Sequence, residues 1–291
     1  MSRSPPGNGT AGPSRGPSPA DGLKGCGVVR GFLSFLIDAL VPRSCLGCAR
    51  ELGPLGAFAA GGAPGGSGSR MQDFLATPCA LDLCPGISIP ARVLCETCWL
   101  RLEPARPRGL LALPGAPGRS VPLICPFFTN DELLALVRFL KFSGGRTAAP
   151  ALGWWMARAL EDHRAAPGAF AAGKTVLVPV PLHPSREKSR GYNQAFLLAW
   201  EVGERLGLDV EARVLGRIRN TKSQSTLDRE RRAFNVREAF GTVRADLIMG
   251  RDVIVVDDLV TTGETAVACV AALEPAEPSS IAVLAAGRVR D

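Results

Sequence analysis

Four apolar residues, two aspartates and a Thr-Thr-Gly turn follow one another at residues 253–265 (VIVVDDLVTTGET). No other stretch of the chain limits the fold as tightly. A run such as DVIVV (252–256) suits a strand buried on both faces, as in parallel sheets covered by helices. Ligands of such sheets sit at the carboxyl ends of the strands, where Asp257 and Asp258 fall. Thr261, Thr262, Gly263, Glu264 and Thr265 then turn the chain into a helix reaching about Leu273. Small residues let the backbone wrap an anion, and N–H groups at a helix start point towards it. The turn therefore reads as a cradle for one phosphate, with two carboxylates beside it for sugar hydroxyls or a hydrated Mg²⁺. An ordinary turn with helix-capping aspartates would explain a lone Thr-Thr-Gly, but not the whole run. A Walker-type nucleotide site is not indicated, because no G-x-x-x-x-G-K-[ST] pattern occurs.

The flanking sequence alternates strands and helices. Thr129, Asn130, Asp131 and Glu132 have the form of a capping box opening a helix whose apolar face is Leu133, Leu136, Val137 and Leu140. Residues 148–163 read as a second helix, 175–181 (TVLVPVP) as a buried strand and 181–191 as a loop. Residues 192–206 read as a third helix and 281–285 as a closing strand. This order predicts an α/β domain over 121–291, with a parallel sheet flanked by helices. Residues 1–22, rich in Pro, Gly and Ser, read as a disordered tail. Residues 23–103 read as an amphipathic helix and a cysteine module interrupted by a Gly-rich insertion at about 53–70, and 104–120 as a Pro/Arg-rich linker. The apolar stretch 28–41 is too short to span a bilayer and carries Arg30 and Asp38. A cytoplasmic protein without membrane insertion is expected.

The formal net charge is +7, and residues 211–251 hold ten Lys or Arg against five Asp or Glu. A local basic excess suits an anionic ligand, either nucleic acid or a polyphosphate. Arg186, Lys188 and Arg190 follow a buried strand closely. Arginine suits bidentate phosphate contact, and a solvated basic loop is the competing reading. His183, between two prolines, reads as structural. The stretch from Arg217 and Arg219 to Phe240 lacks a clean helical stripe. It suits a mobile flap, or else a solvated basic helix.

Eight of the nine cysteines precede Pro126. An odd number arranged as C-x-x-C pairs does not read as a secreted disulfide framework. Cys45 with Cys48 and Cys95 with Cys98 can supply four thiolates in the tetrahedral geometry of structural Zn²⁺. Cys79 and Cys84 are alternative ligands or bystanders, and Cys26, Cys125 and Cys269 read as buried thiols. The module has no histidine ligand and no nearby acid, so it reads as structural or as a docking surface.

The VVDDLVTTGET run resembles the signature of type I phosphoribosyltransferases. That resemblance implies that Asp257 and Asp258 hold the ribose 2′- and 3′-hydroxyls of phosphoribosyl pyrophosphate and that Thr261 to Thr265 hold its 5′-phosphate. Mg²⁺ would accompany the substrate. Thr261 stands where some purine-salvage members place an acidic general base, so acid–base help from that position is absent. Further motifs follow in order: L-V-R-F-L-K-F-S-G (136–144), P-V-P-L-H…R…R-G-Y-N-Q-A (179–195) and R-x-R-x-T…Q…L…R…N…A-F (217–240). Together with the cysteine pairs they resemble the ComF family of competence-associated, phosphoribosyltransferase-like proteins. The resemblance implies structural Zn²⁺ on Cys45, Cys48, Cys95 and Cys98. Arg186, Arg190 and Arg219 would then serve the pyrophosphate end and the closing flap. Two functions follow from it: transfer of phosphoribose to a nucleobase-type acceptor, or a non-catalytic role in DNA uptake beside single-stranded DNA or a helicase. Only Phe234 and Phe240 stand in the basic region for stacking bases.

Overall fold

The computed structural model describes residues 44–52, 80–84, 87–90, 93–105, 109–113, 118–142, 147–164, 170, 173–217 and 239–290. All of these lie in the unit Val41–Asp291. The expected tail, the 28–41 helix, the 53–70 insertion and the 219–235 flap with Arg219 lie outside the described residues, as do Cys26 and Cys79.

The elements run β1 (Ala80–Cys84), β2 (Ile87–Pro90), α1 (Glu96–Leu100), β3 (Gly109–Ala112), β4 (Ser120–Ile124), β5 (Phe127–Phe128), α2 (Asp131–Phe142) and α3 (Ala149–Arg164). They continue with β6 (Thr175–Pro179), α4 (Pro184–Arg190), α5 (Gln194–Leu206), β7 (Asp209–Val210), β8 (Leu215–Arg217), β9 (Phe240–Thr242), β10 (Asp252–Val260), α6 (Glu264–Leu273) and β11 (Ser280–Arg288). The main sheet has the order β3-β4-β11-β10-β6-β7, with β5 also paired to β11. All of its pairings are parallel except β3 with β4. β1 and β2 form a separate antiparallel hairpin, and β8 pairs antiparallel with β9.

The DVIVV run becomes the sheet's centre for a physical reason. Ile254 and Val256 join Leu177, Ala282 and Leu284 in one apolar layer, with residues of α2, α3 and α5. Val253 and Val255 join Val176, Val178, Val283 and Ala285 in the other, with residues of α6. Successive strand side chains point to opposite faces, so a strand apolar at every position needs cover on both. The expected mixed α/β architecture, mostly parallel and flanked by helices, is what the chain adopts.

Two local expectations need correction. Residues 181–191 do not form a loop: Pro184–Arg190 is a short helix, with proline in its first turn, the His183 ring accepting from Ser185 N–H (3.2 Å) and Gly191 closing it at φ 79°. A proline at the start and a glycine at the end set a helix, and the basic side chains hid that signal. Within 104–120, residues 109–112 form edge strand β3 rather than linker, with Leu111 buried and Leu110 exposed. Flanking prolines gave the segment its linker look, yet an edge strand tolerates them. The cysteine segment also shares its core with the sheet's helices, because Cys45, Leu94, Cys98 and Trp99 belong to the same apolar cluster as Leu133, Leu136 and Trp155.

Candidate functional site

At the carboxyl end of β10 the chain bends over residues 261–263 and enters α6. Gly263 stands at φ 77°, in the left-handed region, and a Cβ there would lie 2.6 Å from Leu111 Cδ1. Only glycine takes that conformation without strain. Among the described residues no side chain caps α6, so the N–H groups of its first turn are left to solvent or to a ligand.

The cleft beside this turn measures about 720 Å³, and its walls include Asp257, Thr261, Thr265, Arg186 and Arg190. Thr262 is exposed, Gly263 buried and Glu264 half-buried in the turn itself. The structure thus brings the acidic pair, the turn and the two arginines of α4 together.

The two aspartates have different surroundings. Asp258 is 4% exposed. Its Oδ1 lies 3.0 Å from Lys141 Nζ, and its Oδ2 accepts from Gln194 Nε2 at 2.9 Å. Gln194 Oε1 in turn accepts from Arg190. Asp257 is half-buried, and its Oδ1 accepts from the Asp258 N–H at 2.8 Å. Burial, followed by the neighbouring Asp258 charge, pushes the Asp257 carboxyl up to about 7, against the opposing pull of that N–H and Lys141. The pair therefore sets one carboxylate already engaged by Lys141 and Gln194, at Asp258, beside one adjustable charge, at Asp257.

Lys141, Gln194 and Arg217 also line the cleft; Lys141 and Gln194 are not among the site residues expected from the sequence, and Arg217, expected at the start of a basic flap, ends strand β8. A lysine in the last turn of an amphipathic helix reads as a solvated cation favoured by the helix dipole. Gln194 falls in the first turn of the helix expected over 192–206 and carries no signal of its own. Arg217 lies over the Phe240 ring at 5.5 Å, and burial together with the Arg186 charge lowers its pKa.

The R-G-Y-N-Q run locks these parts in place. Tyr192 donates its O–H to Leu140 O (2.7 Å), at the end of α2. Asn193 donates to Val180 O (3.0 Å), and its side-chain oxygen caps α5 by accepting from Ala195 N–H (2.9 Å). Replacing Tyr192 by phenylalanine leaves the Leu140 carbonyl without this partner. The expected cost is about 1 kcal/mol, readable by urea unfolding.

The Sγ atoms of Cys45, Cys48, Cys95 and Cys98 all lie within 4.8 Å of one another. Cys48 and Cys95 are 3.7 Å apart, against the roughly 3.8 Å that tetrahedral bonds of ~2.3 Å to zinc require. Gly47 lets the first knuckle pass the second, since a Cβ there would fall 2.9 Å from Cys98 Sγ. Burial works against ionising Cys45, but N–H groups of Cys95, Cys48 and Gly47 and the Cys98 thiol outweigh it and hold its pKa at about 7. A thiolate is the form that ligates metal. Four thiols so placed can hold a metal ion, and their softness suits zinc.

Fold and site together define a mostly parallel α/β protein with a glycine turn into a helix beside an acidic pair, and with a four-cysteine cluster. Among curated proteins the chain is similar to the DNA utilization protein YhgH of Salmonella typhimurium, 29% identical over 186 residues, which cover 64% of this chain and 74% of that protein. It is also similar to competence protein F of Haemophilus influenzae, 36% identical over 90 residues, or 31% of this chain and 39% of that protein. YhgH of Escherichia coli K12 is 33% identical over 134 residues, or 46% of this chain and 57% of that protein. The resemblance read from the ordered motifs agrees with these relatives. No family model matches the chain.

Solved structures with some likeness include the allosteric regulatory enzyme of purine biosynthesis, with 19% identity, a TM-score of 0.34 and coverage of 52% of this chain and 30% of that one. Adenine phosphoribosyltransferase of Leishmania tarentolae shows 18% identity, a TM-score of 0.29 and coverage of 61% and 67%. Among the described residues, no helix is long and apolar enough to cross a membrane.

Proposed function

We propose that this chain is a ComF-type protein with a type I phosphoribosyltransferase fold, which binds phosphoribosyl pyrophosphate and transfers its phosphoribosyl group to a nucleobase-type acceptor in the cytoplasm. The observation carrying this reading is that the uncapped start of α6, over left-handed Gly263, opens on the same cleft as Asp257, Arg186 and Arg190. The turn from Thr261 to Thr265 takes the 5′-phosphate. Asp257 accepts from the ribose hydroxyls, with Asp258 behind it, its oxygens already engaged. Arg186, Arg190 and Arg219 take the pyrophosphate. Bound Mg²⁺ would add positive charge at the pyrophosphate. The four cysteines hold structural Zn²⁺. Transfer of this kind needs positioning, charge stabilisation and exclusion of water rather than a protein nucleophile, which suits a cleft where position 261 is threonine.

Calorimetric titration with phosphoribosyl pyrophosphate and Mg²⁺ tests the reading. Saturable binding is expected, weakened by about tenfold or more in Asp257→Asn; no binding at any pH from 6 to 9 would sink it. The pH dependence has a defined sign. The hydroxyl-accepting form of Asp257 is the carboxylate, so binding strengthens as pH rises from 6 to 8, by up to about tenfold. Folding runs the other way. The carboxyl's folded value of about 7 lies above its ordinary 3.8, so its contribution is fully present below about pH 4 and is lost as pH rises through 7. Asp257→Asn should flatten both trends.

The names of the relatives support a second reading, in which the site serves DNA uptake without turnover and the protein contacts single-stranded DNA or a helicase. Phe142 and Phe240 are the aromatic residues lining the described part of the cleft, a thin platform for stacking bases. Single-stranded DNA binding whose salt slope is unchanged by Arg186→Ala and Arg190→Ala would place any such contact away from the cleft.

A further inference from the structure

Lys141 stands in the last turn of α2, within reach of the acidic pair. Its Nζ is 3.0 Å from Asp258 Oδ1, with side-chain exposures of 28% for the lysine and 6% for the aspartate. The pair is built in from several sides. Gln194 donates to the other Asp258 oxygen and accepts from Arg190, while Tyr192 holds the carbonyl of Leu140, the residue before the lysine. Both carboxylate oxygens are thereby engaged by protein groups. A carboxylate this buried is costly unless an opposite charge accompanies it.

We infer that Lys141 is a positioning and specificity residue: a resident cation that cancels Asp258, so that the cleft shows a polyanionic sugar phosphate one carboxylate instead of two. This rests on the phosphoribosyl pyrophosphate reading and deepens it. Two adjacent carboxylates would repel a pyrophosphate unless a divalent ion came with it. One carboxylate already neutralised leaves Asp257 to accept from the sugar, and the ligand can enter ahead of the metal. The chain through Gln194 also joins Lys141 to Arg190, so the cation at the sugar end and the guanidinium at the pyrophosphate end hold one another in register.

The test is calorimetric binding of phosphoribosyl pyrophosphate to the full chain, in resin-stripped magnesium-free buffer and again with saturating magnesium. Chelators are avoided so that the cysteine cluster keeps its metal. Wild type is expected to change affinity by less than about fivefold between the two buffers. Lys141→Met should lose about tenfold or more in magnesium-free buffer and recover most of it with magnesium, whereas Lys141→Arg should behave as wild type. A second variant guards against misfolding. Adding Asp258→Asn to Lys141→Met removes the charge that the lysine cancels, and magnesium-free binding should return. Lys141→Met with wild-type magnesium dependence and an unchanged melting curve would overturn the inference. So would a double variant that folds yet stays as weak as Lys141→Met. If wild type binds in neither buffer, the phosphoribosyl reading falls and takes this inference with it.

Discussion

Cys98→Ser is expected to lower the unfolding midpoint by on the order of 10 °C and to release bound metal. Cys98 is 1% exposed at the meeting point of both knuckles, and its sulfur belongs to the four-thiol cluster. Structural zinc in small peptides is worth roughly 10–16 kcal/mol of folding free energy. Here the surrounding apolar cluster holds part of the module without help, so a loss of about 3–5 kcal/mol is expected, at roughly 2–4 °C per kcal/mol for a unit of this size. The damage should also reach the cleft. Asn130 Nδ2 donates to Arg101 O at 2.7 Å, Arg101 pairs with Glu132 at 3.7 Å, and Leu133, Leu136, Val137 and Leu140 share an apolar cluster with Cys45 and Cys98. These contacts brace the start of α2, whose other end carries Lys141 to Asp258. Removing the metal should therefore weaken phosphoribosyl pyrophosphate binding as well as stability. Calorimetric melting, metal content and ligand titration on one preparation check all three. Cys125→Ser, at a buried thiol outside the cluster, supplies the contrast: some destabilisation with metal content unchanged.

How much of this was legible in the sequence depends on the range of the interaction. Residues 252–265 were readable because their message is local: β-branched residues, then carboxylates, then a small-residue turn, each set by neighbours in the chain. The C-x-x-C pairs were readable because metal geometry restricts spacing, and the long separation of Cys48 from Cys95 along the chain does not stop the four thiols from meeting. Lys141 and Gln194 were not readable. Their partner Asp258 lies 117 and 64 positions further on, and only the packing of α2 and α5 near β10 brings the three together. Strand β3 was hidden for a similar reason, because four residues between prolines become a strand only when β4 offers its edge. The difference between the two aspartates was likewise out of reach, since adjacent identical residues are told apart by surroundings contributed from elsewhere in the chain.

Gly263→Val should abolish measurable phosphoribosyl pyrophosphate binding and destabilise the fold by roughly 2–4 kcal/mol. Two costs combine at this position. The backbone sits at φ 77°, which a β-branched residue avoids, and the new Cβ would fall 2.6 Å from Leu111 Cδ1. The second cost can be relieved separately, because Leu111 Cδ1 is the far end of a flexible side chain on an edge strand. Leu111→Ala in the Gly263→Val background should therefore recover part of the stability. It should recover none of the binding, because the valine still rotates the peptide that aims the first N–H groups of α6 into the cleft. A double variant that regained binding would assign the turn's glycine to packing against β3 and would move the phosphate away from α6.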